Sequence, residues 1–267
     1  MAVRAATLIL ALLLPIQCAS AHDFWIEPGS YRPGAGVALP VNLMVGELFI
    51  GDALPRNSAS IELFALYLGL TAPPRAVIGT DGIAPAGFVL VDDARTTLLA
   101  FSGAGGVTEL PPDRFTAYLR SHGLEWVEVE RKAREEEAKA ARERFHRHAK
   151  VLFTATSADA VAGRVLGQIL EIVPDGDPTQ DASPSFSGKI LWRGEPLAGC
   201  LILARSYSDP LNALQSRSDA AGRFSLPLAR GGVWLLQTVW MERAGWFSGQ
   251  DWESHWSSLT FLKPEPR

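Results

Sequence analysis

Five histidines are the residues best suited to chemistry in this chain, and one of them holds an unusual place. His22 follows Ala19-Ser20-Ala21, which closes a segment with a positive start at Arg4 and an apolar run from Ala5 to Ile16. Charge, apolar run and small residues in that order are the layout of a secretory leader with an Ala-x-Ala cleavage site. The run falls short of the roughly 20 apolar residues that span a bilayer. Cleavage after Ala21 would make His22 the first residue of the exported chain, with its α-amine and imidazole spaced to chelate one metal ion. An α-amine has a pKa of about 7.7–8.0, so a divalent cation displaces its proton at little cost near neutral pH. Imidazole suits zinc, copper and nickel.

Two more histidines, His146 and His148, sit in a stretch whose period changes from helical to alternating. On a strand both point to one face and can grip one ion. On a continued helix they stand about 200° apart and cannot. The competing reading is a pair of solvated histidines at a helix-to-strand junction. His255 is flanked by Asp251 and Glu253, carboxylates placed to orient a ligand ring, although a turn role for Asp251 and a solvated Glu253 are simpler. His122, just before Gly123, reads as a helix-end cation favoured by the helix dipole. The expected metal set is therefore His22, His146, His148 and His255, with nickel, cobalt or copper as the ion.

These side chains need a scaffold, and the pattern predicts a mainly β one. Short apolar stretches near 37–45, 60–67, 86–91 and 95–101 read as strands, the last two as a hairpin turning at Asp92-Asp93. Pro111-Pro112-Asp113 opens a helix that Gly123 closes. A second helix, dense in charge, is expected over 125–144 with a thin apolar stripe of Trp126, Val129, Ala133 and Ala140. Acid-first pairs four apart, such as Glu130 and Arg134, support it by about 0.2–0.5 kcal/mol each. Residues 175–185, rich in Asp, Pro, Gly and Ser, read as a linker. Beyond it, strand and turn signals recur at regular intervals. The organisation expected is a leader over 1–21 and two immunoglobulin-like β-sandwiches, one over 22–174 with a helical insertion near 111–144 and one over 186–267.

Of 267 residues, 47% are hydrophobic and 20% charged, enough for a packed core. The formal charge of −4 becomes one unit more negative once Arg4 leaves with the leader, which argues against a nucleic-acid partner. Cys18 lies in the leader after Pro15-Ile16-Gln17 and lacks the small residue that lipid attachment normally requires just before the cysteine. Cys200 is then alone, so burial rather than an intramolecular disulfide must hold the fold, and its apolar surroundings predict an inert thiol. Export without a second hydrophobic span places the expected product in the periplasm.

The segment His22-Asp-Phe-Trp-Ile-Glu-Pro28, then Val45-Gly-Glu-Leu-Phe-Ile-Gly51 with Leu54-Pro-Arg56, resembles a bacterial domain-of-unknown-function family. Leu170-Glu-Ile-Val-Pro174 and Asp251-Trp-Glu-Ser-His-Trp256 fit it too, and the likeness covers nearly the whole exported chain. That family is described as the periplasmic component of ABC-type cobalt/nickel uptake. The resemblance therefore implies a non-enzymatic metal-handling role, with a membrane transport component as partner. The C-terminal part, with Gly194-Glu-Pro-Leu-Ala-Gly199 and Asp219-Ala-Ala-Gly-Arg-Phe224, is similar to carboxypeptidase-regulatory-like β-sandwiches. One position departs: the family often carries His where this chain has Trp240. Trp240, Trp246, Trp252 and Trp256 together read as a core edge.

Two other functions stand beside metal handling. A structural or partner-binding module would use the charged helix as its contact. An oxidative copper enzyme would need a second histidine beside the terminal one. Hydrolase signatures are missing from the sequence, with no Gly-x-Ser-x-Gly, no His-Glu-x-x-His and no phosphate-binding glycine loop before a helix.

Overall fold

The computed structural model describes residues 23–91 and 94–266. In chain order its elements are β1 (Asp23–Pro28), β2 (Ala38–Glu47), β3 (Ile50–Leu54), β4 (Ile61–Tyr67), β5 (Arg75–Ala76), β6 (Gly87–Leu90) and β7 (Thr97–Leu110). Helices α1 (Pro112–Ser121) and α2 (Glu125–Ala133) precede β8 (Ala141–Phe153), β9 (Leu170–Pro174), β10 (Phe186–Trp192), β11 (Glu195–Pro196) and β12 (Leu201–Ser206). The chain closes with β13 (Asp209–Arg217), β14 (Arg223–Leu226), β15 (Gly232–Arg243) and β16 (Trp252–Lys263).

The protein is mainly β, with sheets stacked face to face. An eight-stranded sheet, in the order β13-β12-β15-β16-β8-β7-β4-β5, forms the middle wall. All its described pairings are antiparallel except β16 against β8, which run parallel. That parallel seam joins the last strand of the chain to one from its first half. Residues 175–185 connect β9 to β10, which pair with each other. Both sequence segments thus contribute to one continuous sheet.

Alternation along β8 shows how the wall is covered on both sides. Ala149, Val151 and Phe153 face a core shared with Phe24 and Ile26 of β1, Val41 and Leu43 of β2, and Phe101 of β7. Leu152 faces the opposite core, with Leu259, Phe261, Ile172, Ile190 and Phe224 beneath the sheet of β9, β10, β11 and β14. Each fully buried Leu, Ile or Phe there contributes about 1.5–3 kcal/mol. Helices α1 and α2 pack on the β1 side through Phe115, Leu119, Leu124 and Val127 against Val239, Met241, Trp252 and Trp256.

The Val45–Gly51 motif has a backbone cause. Leu48 and Phe49 both adopt positive φ (56° and 61°), the geometry of a tight hairpin turn between β2 and β3. A Cβ on Gly46 would stand 2.0 Å from the Ile50 carbonyl oxygen, so only glycine fits. Phe49 is held edge-on by Trp25 and Tyr207.

Three local expectations are corrected. The charged helix stops at Ala133, and residues from Ala141 onward belong to β8, whose 13-residue register with β7 outweighs their helical propensity. The buried residues of α2 are Val127 and Arg131 rather than the thin stripe, and Val129 is exposed. Strands β6 and β7 are not a hairpin: β6 pairs with β2 and β7 with β4 and β8, while Asp92 and Asp93 lie outside the described residues. Cys200 is buried and free, and burial pushes its thiol up to about 12, as expected of an inert cysteine.

Candidate metal centre

The parallel register of β8 and β16 aligns His146 with His255 and His148 with Ser257. Because residues level with each other in adjacent strands share a face, the three histidines meet on one side of the middle wall. The row continues to Trp240 on β15 and Ala104 on β7. The His146 and His255 rings stack at 4.6 Å and 9°, and those of His148 and His255 at 5.4 Å and 5°. Trp192, at the end of β10 in the covering sheet, meets His255 edge-on at 5.2 Å.

One carboxylate completes the group. Glu253, two residues before His255 and on the same face, places Oε1 2.9 Å from His146 Nε2. Ligand atoms of His146, Glu253 and His255 all lie within 4.8 Å of one another. Two donors about 2.1 Å from a common ion stand roughly 3 Å apart, so a small closure would bring all three onto one metal. His255 is buried, and its Nε2 has no hydrogen-bond partner among the described residues. A buried nitrogen without a partner is costly, and a ligand is one of the few reasons to keep one.

Both nitrogens of His148 and the Nδ1 of His255 are occupied. His148 Nε2 lies 3.1 Å from His255 Nδ1, and His148 Nδ1 lies 3.1 Å from Ser102 Oγ. Gln168 Nε2 donates both to Ser102 Oγ and to the Phe101 carbonyl. Burial, reinforced by neighbouring cations and rings, pushes His148 down to about 3 and His255 down to about 2. Both rings are therefore neutral at physiological pH, the state in which imidazole binds metals.

Three of the four predicted ligands are thus brought together. His146 and His255 offer atoms to an ion, while His148 is engaged at both nitrogens. His22 lies outside the described residues. The next strand, β1, packs on the other face of the wall, where Asp23 lines a small cleft with His122 and Trp256. Ser102, Gln168 and Trp192 were not singled out from the sequence. They reach the cluster through strand register and sheet stacking, neither of which leaves a local signal.

Other expectations need correction. His122 is not a helix-end cation: burial holds it down to about 4, its ring lies edge-on to Tyr118 and Trp256, and its Nδ1 meets the Tyr118 carbonyl. Asp251 is tied to Arg142 by paired hydrogen bonds instead of orienting a histidine. Glu253 is not simply solvated, since it holds His146. Trp252 and Trp256 are buried and Trp240 partly so, whereas Trp246 is fully exposed in the β15–β16 connection.

A family model described as "Domain of unknown function (DUF4198)" matches residues 19–242. No curated protein matches the chain. Among solved structures, the crystal structure of a tetra-tandem repeat in the extending region of a large adhesion protein is similar at 11% identity, with a TM-score of 0.21. That alignment covers 90% of this chain and 49% of the other, so the chain spans about half its length. Among the described residues, no helix is long and apolar enough to cross a membrane.

Proposed function

The chain belongs to the DUF4198 family, and from the geometry of the histidine row we propose that it is an exported, periplasmic protein that binds a transition-metal ion. The single observation that carries this reading is the partnerless Nε2 of buried His255, beside a second imidazole and a carboxylate. The ligands are His146, Glu253 and His255. His148 is a positioning residue: with its own Nδ1–H directed at Ser102, it accepts from His255 Nδ1–H and leaves the His255 Nε2 lone pair free. Metal-binding histidines are held in this way by their outer nitrogen. Two imidazoles and one carboxylate suit copper, nickel or cobalt, in falling order of affinity. The role is binding and hand-over to a membrane transport component, without catalysis.

Calorimetric titration of the mature protein with nickel and copper tests the reading. Saturable one-to-one binding that weakens at least about tenfold in both His146→Ala and His255→Ala is expected, in line with the loss of one ligand. Binding equal to that of the His255→Ala protein would end it.

A partner-binding module without metal is the second reading. It is favoured by Trp246 and Phe247, both fully exposed where β15 turns into β16. The contact would then be this tip rather than α2, whose Glu125 and Glu130 are tied to Arg217 and Arg243 of the body.

A further inference from the structure

The opposite face of β8 carries a different group. Between His146 and His148, Arg147 points to the β1 side, where its guanidinium carbon sits 5.0 Å from the Phe24 ring centre and 5.1 Å from that of Phe145. No carboxylate and no hydrogen-bond acceptor among the described residues meets this cation. A guanidinium keeps its charge at neutral pH. A half-buried guanidinium without a counter-ion is costly unless something of opposite charge visits it.

The surroundings are built to hold that guanidinium. Strand β7 changes register between Ala104 and Gly106, a bulge of the kind found beside binding sites. A Cβ on Gly105 would stand 2.1 Å from the Phe145 ring, so glycine there lets the ring lie against the strand and flank Arg147. The clamp opens into a cavity of about 230 Å³ lined by Phe24, Leu43, Leu54, Ile61 and Phe101, with Asn57 and Ser60. Asn57 Oδ1 accepts from the Ala59 N–H, and Asn57 Nδ2 makes no hydrogen bond among the described residues. Among the described residues, Arg147 is the one charged residue lining the cavity.

We propose that this cavity binds a small monocarboxylate with a compact apolar body, its carboxylate on Arg147 and its body against Phe24, Leu54 and Phe101. The planar fork of a guanidinium matches a carboxylate with two parallel hydrogen bonds. A phosphate dianion fits poorly, since a single cation in an apolar cleft leaves half its charge uncompensated. The volume lies below the usual range for drug-sized ligands, which limits the body to about one ring. The site is separate from the histidine row, on the other face of the sheet, and does not depend on metal.

Titration of the mature protein followed by two-dimensional NMR tests the proposal with benzoate, benzamide and inorganic phosphate as probes. Expected is saturable benzoate binding with shifts at Arg147 and Asn57, and benzamide weaker by about tenfold or more. Arg147→Met is expected to abolish benzoate binding. Asn57→Ala, at an exposed position that leaves the core intact, is expected to weaken it several-fold. Arg147→Lys, which keeps the charge and loses the fork, should fall between wild type and Arg147→Met. No saturable benzoate binding, equal binding of benzamide, preference for phosphate, or benzoate binding unchanged in both Arg147→Met and Asn57→Ala would each overturn the proposal.

Discussion

Two polar groups lie buried on the same face of the middle wall, one strand pleat apart, and they differ in how completely they are satisfied. Lys150 Nζ donates to Glu171 and to the Ile172 carbonyl, while Glu171 accepts the N–H groups of Leu166 and Gly167. Burial pulls the Lys150 ammonium down and Glu171 holds it up. This pair is closed: it pins the loop before β9 to the wall and offers nothing to a visitor. His255, next in the same direction along β8 and β16, keeps a lone nitrogen beside His146 and Glu253. Full satisfaction marks a structural device, and a single orphan atom among convergent donors marks a binding one.

The comparison breaks most visibly at the closed pair. Lys150→Met strands a buried carboxylate and should cost about 3–5 kcal/mol in urea unfolding. Lys150→Met with Glu171→Leu should recover only part of that, because the Leu166 and Gly167 N–H groups lose their acceptor. Full recovery would mean the pair does not anchor the loop.

Glu143, on the opposite face, is an intermediate case. Ser254 and Tyr118 hydroxyls both donate to its Oε1, whereas Oε2 has no partner among the described residues. Burial pushes this carboxyl up to about 7. The folded state therefore holds a proton that the unfolded chain has released between about pH 4.5 and 7, and stability falls as pH rises through that window. Glu143→Gln should match wild type near pH 5 and exceed it near pH 8 by up to about 3 kcal/mol in thermal or urea unfolding. Parallel pH profiles for the two proteins would show that Glu143 carries no such proton.

The smallest effect belongs to the open site. His146 is partly exposed, and Glu253 is its one hydrogen-bond partner among the described residues. His146→Ala should change metal-free stability by less than about 1 kcal/mol while lowering metal affinity at least tenfold. A large loss of stability would move His146 into the structural class with Lys150.

Much of this contrast was legible along single strands, and little of it across them. The alternation from Phe145 to Phe153 put His146 and His148 on one face, because a strand's side-chain period is a local property. The meeting with His255 depends on a parallel register between segments over a hundred residues apart, which no local pattern encodes. Glu253 read as solvated for the same reason, since its partner arrives from β8. The expected helix runs too far because residues 134–144 are charged and helix-prone, while the pairing of 141–144 with β7 is a tertiary preference. The same alternation sets Arg147 on the face opposite the histidines, and only the stacked sheets show that it looks into a cleft without a counter-ion among the described residues.

Counting the imidazole nitrogens on bound copper(II) by pulsed electron paramagnetic resonance tests the central claim most directly. The wild-type protein should show two more coordinated imidazoles than His146→Ala/His255→Ala, and Glu253→Gln should keep both imidazoles at weaker affinity. His148→Gln should leave the count unchanged. An identical spectrum for wild type and the double substitution would place the metal elsewhere and contradict the account.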